Sequence, residues 1–262
     1  MAQDGTQAIR RAAAILQRIA RVSEAAPPTL REISRAMDLP RSTTHRILKC
    51  LTETGLADYD PQTRRYEIGL LSYELGLAVT DRVLDLLPLR RAVDRVAART
   101  GATSYLMRRS GIEAVCIHKA DGTAVIRVIP VEVGQRRFMG VGAGATALLA
   151  ELDDAAVERI LAEIEGELDA YADLSADRIR RAVQATRERG YAESARQVYS
   201  STYGLGVAVR TAHGQADFAV SIAAHAPEVS DDLIGTWRAI IDEEIARATG
   251  DRAGPGPATQ SG

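Results

Sequence analysis

Residues 29–51, TLREISRAMDLPRSTTHRILKCL, constrain the fold more than any other stretch of the chain. Apolar residues recur there at three- and four-residue steps on both sides of a short polar break, the mark of two helices meeting across a tight turn. Thr29 stands where it can cap the first of them, and Glu32, three positions on, completes a capping box. Leu30, Ile33 and Ala36 form the inward stripe of that helix. The turn Met37-Asp38-Leu39-Pro40 redirects the chain into a helix over residues 41–54, with Ile47, Leu48 and Leu51 inward and Gly55 as its stop. Upstream, residues 7–22 read as an amphipathic helix on Ile9, Ala12, Ala13, Leu16, Ile19 and Ala20. Downstream, residues 56–59 and 65–68 are strand-like pieces around the turn Asp60-Pro61-Gln62-Thr63. Three short helices followed by a hairpin make a winged helix-turn-helix.

That arrangement assigns roles to the residues it leaves outside. Arg41, Ser42, Thr43, Thr44, His45, Arg46 and Lys49 occupy the start and outer side of the recognition helix. Short hydroxyls at a helix start can approach base edges or phosphates in a major groove, and the helix N-terminus itself favours a phosphate. Arg and Lys neutralise backbone charge, and an Arg can also grip a guanine. Arg64 and Arg65 lie at the hairpin tip or its second strand, where a wing reaches adjacent phosphates or the minor groove. A three-helix bundle with a solvated polar face would show some of the same residues. The hairpin with two arginines, coming directly after, favours double-stranded DNA as the partner.

Charge agrees with this division. The whole chain of 262 residues has a formal net charge of −2, yet residues 1–68 hold 11 Lys+Arg against 8 Asp+Glu, and residues 69–262 hold the acidic excess. The length suits two domains. Residues 1–68 form the DNA-binding domain, 69–88 a linking helix with Leu71, Leu75 and Val79 near one face, 89–249 a second domain, and 250–262 a Gly/Pro/Ser-rich tail expected to be disordered. In the second domain helical patterns at 89–99, 143–152, 154–164, 175–189 and 230–249 surround strand patterns at 102–108, 114–118, 124–129, 204–210 and 217–224. Helix, strands, helices, strands, helix is the order of an α+β domain, an antiparallel sheet flanked by helices.

Several functions lose support. No apolar run approaches the ~18 residues of a membrane span, and the N-terminal helix is broken by Gln17 and Arg18, so a soluble, cytoplasmic protein is expected. Cys50 and Cys116 have no paired spacing and read as buried or semi-buried thiols. There is no GxSxG elbow, and His45, His118, His213 and His225 lack triad or metal-site flanks, so no catalytic residue, metal or cofactor is expected. Residues 140–145, GVGAGA, fit the form of a dinucleotide-binding turn. The preceding VGQRRF is polar and basic rather than a buried parallel strand, and no acidic strand end follows ~20 residues on. The glycines are better explained as letting a loop pack closely on the sheet.

Taken together, TQAIRRAAAIL, LREISRAMDLPRSTTHRILKCLTETGLADYD and RRYEIGLLSYELG closely resemble the N-terminal domain of the IclR family of bacterial transcription regulators. VGQRRFMGVGAGATALLAEL and RERGYAESARQVYSSTYGLGVAVRTAHGQADFAVSIAAHAP resemble the family's C-terminal domain, so the likeness runs through nearly the whole chain. It implies a GAF-like effector-binding domain, a linking helix that dimerises the DNA-binding halves, and homodimers that can pair into tetramers. It also implies control of an operon, by repression more often than activation, through a small organic effector. The chain departs from the family at Phe138-Met139-Gly140, Gly142, Thr146, Ser194-Ala195 and Gly204, so its effector does not carry over from better-known members. Matched motif positions make Ile126, Ile129, Met139, Gly142, Ala143, Gly144, Ser194, Gly204, Ser221 and Ala223 the expected effector wall. Such small and apolar residues favour a compact, weakly polar or aromatic molecule over a highly charged one, carboxylic acids remaining among the candidates. The alternatives are an enzyme carrying an accessory DNA-binding module and a purely structural DNA-binding protein.

Overall fold

Hydrophobic periodicity is realised in two separate units, Met1–Asp85 and Leu86–Gly262. The computed structural model describes residues 3–20, 26–78, 86–124, 126, 131–171, 174–195, 201–210 and 216–250. In the first unit α1 (Gln3–Ile19), α2 (Leu30–Ala36) and α3 (Arg41–Glu53) precede the antiparallel hairpin of β1 (Ala57–Asp60) and β2 (Arg65–Ile68), and α4 (Leu70–Leu77) follows. Ile15 and Ile19 of α1, Ile33 of α2, Leu48 and Leu51 of α3, and Ala57 and Tyr66 of the hairpin share one core. The expected capping box is present, with the Glu32 amide donating to Thr29 Oγ1 at 3.4 Å and the Thr29 amide to Glu32 Oε2 at 2.7 Å.

The inward stripes shift by a position or two from expectation. Ile9 and Ala36 are exposed, while Leu30, Leu39 and Ile47 are half-buried. The core draws its depth instead from Ile15 and from the hairpin, which helical periodicity alone does not register. The start of α4 is tied back to the hairpin, with the Gly69 amide donating to the Leu56 carbonyl at 3.0 Å and Ser72 Oγ donating to the same oxygen at 3.1 Å. Of the expected linking helix, 79–85 lies outside the described residues, as do 251–262 of the expected tail.

The second unit begins with α5 (Leu87–Thr100), whose first turn contains Pro88. Proline lacks the amide hydrogen that a first turn leaves unused, so it suits the opening of this helix. Then come β3 (Thr103–Ser110), β4 (Glu113–Ala120), β5 (Arg136–Phe138), α6 (Ala143–Ala150), α7 (Asp154–Ile164), α8 (Ala176–Arg189), β6 (Ala192–Ala195), β7 (Thr202–Val209), β8 (Phe218–His225) and α9 (Asp231–Gly250), with short 3₁₀ turns after α7 and β8. The six strands form one antiparallel sheet in the order β5-β4-β3-β8-β7-β6. The expected α+β architecture is therefore present.

Two of these strands run against the sequence reading. Arg136–Phe138, part of a polar, basic stretch left out of the expected strands, is the edge strand β5, and Ala192–Ala195 adds the opposite edge as β6. An edge strand keeps one flank in water, so charged residues are tolerated there. The strand expected at 124–129 is not borne out at Ala124 or Ile126, and 125 and 127–129 lie outside the described residues.

Each face of the sheet has its own core because successive side chains alternate. Tyr203, Leu205, Val207 and Val209 of β7 pack with Val93 and Val96 of α5 and Trp237 and Ile241 of α9. On the other face Tyr105, Met107, Ala219 and Ala223 meet Leu148 and Leu149 of α6, Leu161 of α7 and Ile179 of α8. Between α5 and α9, Glu244 is only 1% exposed and accepts from Arg95 Nε at 2.5 Å and Arg99 Nη1 at 2.8 Å.

Candidate functional site

Two regions gather the expected site residues, and they are built in opposite ways. In α3 the helical repeat sorts the side chains by face. Thr44, Leu48 and Leu51 are buried, and Arg41, Ser42, His45, Arg46 and Lys49 are exposed along the outer side. Thr43 is half-buried at the margin. Thr44 does not belong with the exposed group: it is fully buried, and its hydroxyl donates to the Pro40 carbonyl at 3.2 Å. It stabilises the first turn of α3 from within. Arg41, His45 and Arg46 form no ion pair among the described residues, and Lys49 faces Glu53 across 3.6 Å with both side chains about two-thirds in water. An exposed i,i+4 pair of that kind is weak and yields readily to a phosphate.

The hairpin separates its two arginines. Arg64 sits at the tip with φ of 57°, exposed and without an ion pair among the described residues. Asp60 fixes the turn beneath it, accepting from Thr63 Oγ1 at 2.6 Å and the Gln62 amide at 2.8 Å. Those two bonds, that from Thr63 foremost, hold its carboxyl below the usual carboxylate range. Arg65 has another role from the one the sequence suggests. Its Nη1 donates to the Pro27 carbonyl and lies 4.0 Å from Glu32, while the neighbouring Tyr66 amide donates to the Pro28 carbonyl at 3.0 Å. Arg65 fastens the wing to the start of α2. Cys50, expected to be buried or semi-buried, is exposed on α3. Cys116 is buried, and burial pushes its thiol up to about 12, far from a nucleophile's range.

In the second unit α6 lies directly on β7 and β8, and small residues make that approach possible. A Cβ at Gly206 would stand 2.6 Å from the Ala143 carbonyl. Gly142, with φ of 85°, turns the chain from β5 into α6. The GVGAGA run is thus a close-packing junction. A strand does precede it, but β5 is an antiparallel edge strand, not the parallel strand that a dinucleotide turn requires.

Beside this junction is a cavity of ≈ 60 Å³. Seven of the expected wall residues line it: Gly142, Ala143, Gly144, Ser194, Gly204, Ser221 and Ala223. Met139 does not; it is fully buried in the helix-side core. Ile126 is exposed and borders a different cavity of ≈ 260 Å³, together with Thr103, His225 and Trp237. Ile129 lies outside the described residues. Tyr105, Met107, Val131, Arg137, Val141 and Thr202 line the smaller cavity although the sequence did not single them out. Strand pairing supplies the missing signal for Tyr105, which stands opposite Ser221 in adjacent strands and so shares its face. Arg137 comes from the unforeseen strand β5. Of the remaining histidines, His118 Nε2 pairs with Asp94 Oδ1 at 2.8 Å, and His213 lies outside the described residues.

Comparison with known proteins agrees with both units. The IclR helix-turn-helix domain profile matches residues 8–61, and the profile described as bacterial transcriptional regulator IclR C-terminal matches residues 84–248. The HTH-type transcriptional regulator KipR of Bacillus subtilis is 24% identical over 208 residues, covering 79% of this chain and 82% of that protein. The structure of an IclR transcriptional regulator from Alicyclobacillus acidocaldarius superposes with a TM-score of 0.73 at 24% identity, covering 93% of this chain and 98% of the other. An IclR homologue from Microbacterium hydrocarbonoxydans, solved in complex with 4-hydroxybenzoate, gives a TM-score of 0.67 at 17% identity, with coverage of 93% and 98%.

Proposed function

The chain belongs to the IclR family of bacterial transcriptional regulators, and from that premise we propose that its operator is read by the exposed flank of α3 and that a small organic effector in the α6 cavity controls the reading. The observation that carries the first part is the row Arg41, Ser42, His45, Arg46 and Lys49, exposed on one side of a helix whose other side is core. Such a row enters a major groove, while Arg64 at the wing tip reaches a neighbouring phosphate. Arg65 and Thr44 support this surface from behind. Residues 1–68 serve as the DNA-binding domain, 69–88 as the link and 89–249 as the effector domain.

A second copy of the chain completes the reader. The exposed apolar side chains Leu70, Tyr73, Leu75 and Leu77 of α4 suit burial against the same helix of another protomer. Two-fold pairing places two recognition helices on a partly palindromic operator. The effector acts only through its different affinity for two arrangements of that dimer. We read the cavity as a receptor and not a catalytic centre, since the described residues lining it include neither a carboxylate nor an imidazole to serve as base. Members of the family are transcription regulators rather than enzymes, and among the described residues no helix is long and apolar enough to cross a membrane. Repression is the mode favoured.

The test is to sequence the DNA fragments that co-purify with the protein, then measure retention of the enriched fragment against bulk genomic competitor. Preferential retention that a metabolite alters is the expected result. Equal retention of the enriched fragment and the competitor, with and without metabolites, overturns the proposal.

A further inference from the structure

We propose that the cavity of ≈ 260 Å³ at one end of the sheet is a second ligand site, separate from the α6 cavity, and that it takes a small organic cation with an apolar body. It lies where β8 ends and β3 begins, between the last residues of α5 and the first turns of α9. Ala223 is the one described residue that lines both cavities, and this one approaches the ~300 Å³ at which small-molecule sites begin. Small residues make the room. Gly101, with φ of 73°, ends α5 and turns the chain into β3. The segment after β4 is held against it by the Ala124 amide, which donates to the Gly101 carbonyl at 2.9 Å. A Cβ at Gly122 would stand 2.0 Å from that same oxygen, so glycine is what lets the two segments meet. Ala102, Ala124, Ala223 and Ala224 then face the cavity opposite the larger Leu233 and Trp237 without filling it.

The polar groups of this cavity set the sign of its ligand. Glu228 is the one carboxylate among the described residues lining it, and none of them is a lysine or arginine. Glu228 is exposed and forms no ion pair among the described residues, so its charge is free for a ligand. His225 also lines the cavity, and its Nδ1 is buried with no hydrogen-bond partner among the described residues. A buried nitrogen left so is costly, and in the tautomer protonated at Nε2 it accepts a bond from an ammonium. Trp237, 5% exposed, supplies an aromatic wall, and indole attracts a cation more strongly than the other aromatic rings. Carboxylate, imidazole acceptor and indole all favour positive charge, while Leu233 and the alanines suit an apolar body. An anion would meet Glu228 instead. The site stands on these residues alone and does not depend on the effector reading of the α6 cavity.

The experiment uses full-length protein and matched amine/alcohol pairs: phenethylamine with 2-phenylethanol, and cyclohexylamine with cyclohexanol. Trp237 is the only tryptophan of the chain, so its emission reports on this cavity directly. Calorimetry gives the affinities, and thermal unfolding reports on folding. At least one amine should bind wild type and shift the emission, and its alcohol should bind about tenfold more weakly. Glu228→Gln should weaken the amine about threefold to tenfold, with an unchanged melting temperature because the residue is exposed and belongs to neither core. Ala124→Leu, which fills the cavity from outside the strands, should abolish the emission shift. No amine binding, an alcohol binding within about twofold of its amine, or an amine weakened by neither substitution overturns the assignment. Amine binding that leaves the Trp237 emission unchanged lies elsewhere on the protein and overturns it as well.

Discussion

The arginines of the two units are used differently. In the DNA-binding unit Arg41, Arg46 and Arg64 are exposed and form no ion pair among the described residues. In the effector unit Arg95 and Arg99 hold Glu244, Arg180 bridges Glu158 and Asp177, Arg187 meets Asp154, and Arg210 meets Glu151. A cation left unpaired in water keeps its charge for a phosphate, and its removal should change binding more than folding. A cation held by a buried carboxylate is part of the structure. Net charge could not reveal this, because the two units carry arginine at similar density and differ in how they use it.

The buried pair gives the largest test. Glu244→Ala should lower the stability of the effector unit by about 3 kcal/mol, the low end for breaking a buried ion pair, since Arg95 and Arg99 can still turn partly to water. Denaturant unfolding of the full chain measures it, and a loss under 1 kcal/mol would remove the contrast. The same site predicts a pH response. Burial alone would raise the Glu244 carboxyl, but hydrogen bonds from Arg95 and Arg99 outweigh it and hold the group below its ordinary value of 4.5. A depressed carboxylate contributes stability that is fully present above its unfolded value and is lost as pH falls through the lower folded value. Wild type should therefore lose stability in acid below about pH 4.5, and Glu244→Ala should lose less over that window.

Arg46→Ala should act the other way, weakening operator binding about tenfold and lowering the steepness of its salt dependence by about one ion, with the melting temperature unchanged. Fluorescence anisotropy at several salt concentrations checks both, and undiminished affinity would show that α3 does not dock by this flank. Thr44→Val sharpens the boundary between the two roles. It should cost about 1 kcal/mol of stability through the lost bond to Pro40 and leave the affinity of the folded protein for the operator within about twofold. The smallest effect belongs to Arg210→Ala. Its pair with Glu151 lies at the surface, with Arg210 70% exposed, and its loss should change stability by less than about 0.5 kcal/mol.

Local sequence pattern established the winged helix-turn-helix, the capping box at Thr29 and Glu32, the helices of the effector unit with its strands β3, β4, β7 and β8, and the α+β class. All of these rest on neighbours a few residues apart, whose spacing is written directly in the sequence. The tertiary structure decided what depends on distant partners. Thr44 and Arg65 look like DNA contacts until packing is seen to bury the first and the Pro27–Thr29 segment to engage the second. The cavity gathers Tyr105, Arg137, Ser194, Thr202 and Ser221 from five strands. Which of their side chains share a face is set by a pairing register between segments as distant in the chain as Tyr105 and Ser221, and a one-residue slip would turn each to the opposite side. Arg137 was hidden for that reason, since a basic triplet becomes an edge strand only when β4 is there to pair with it.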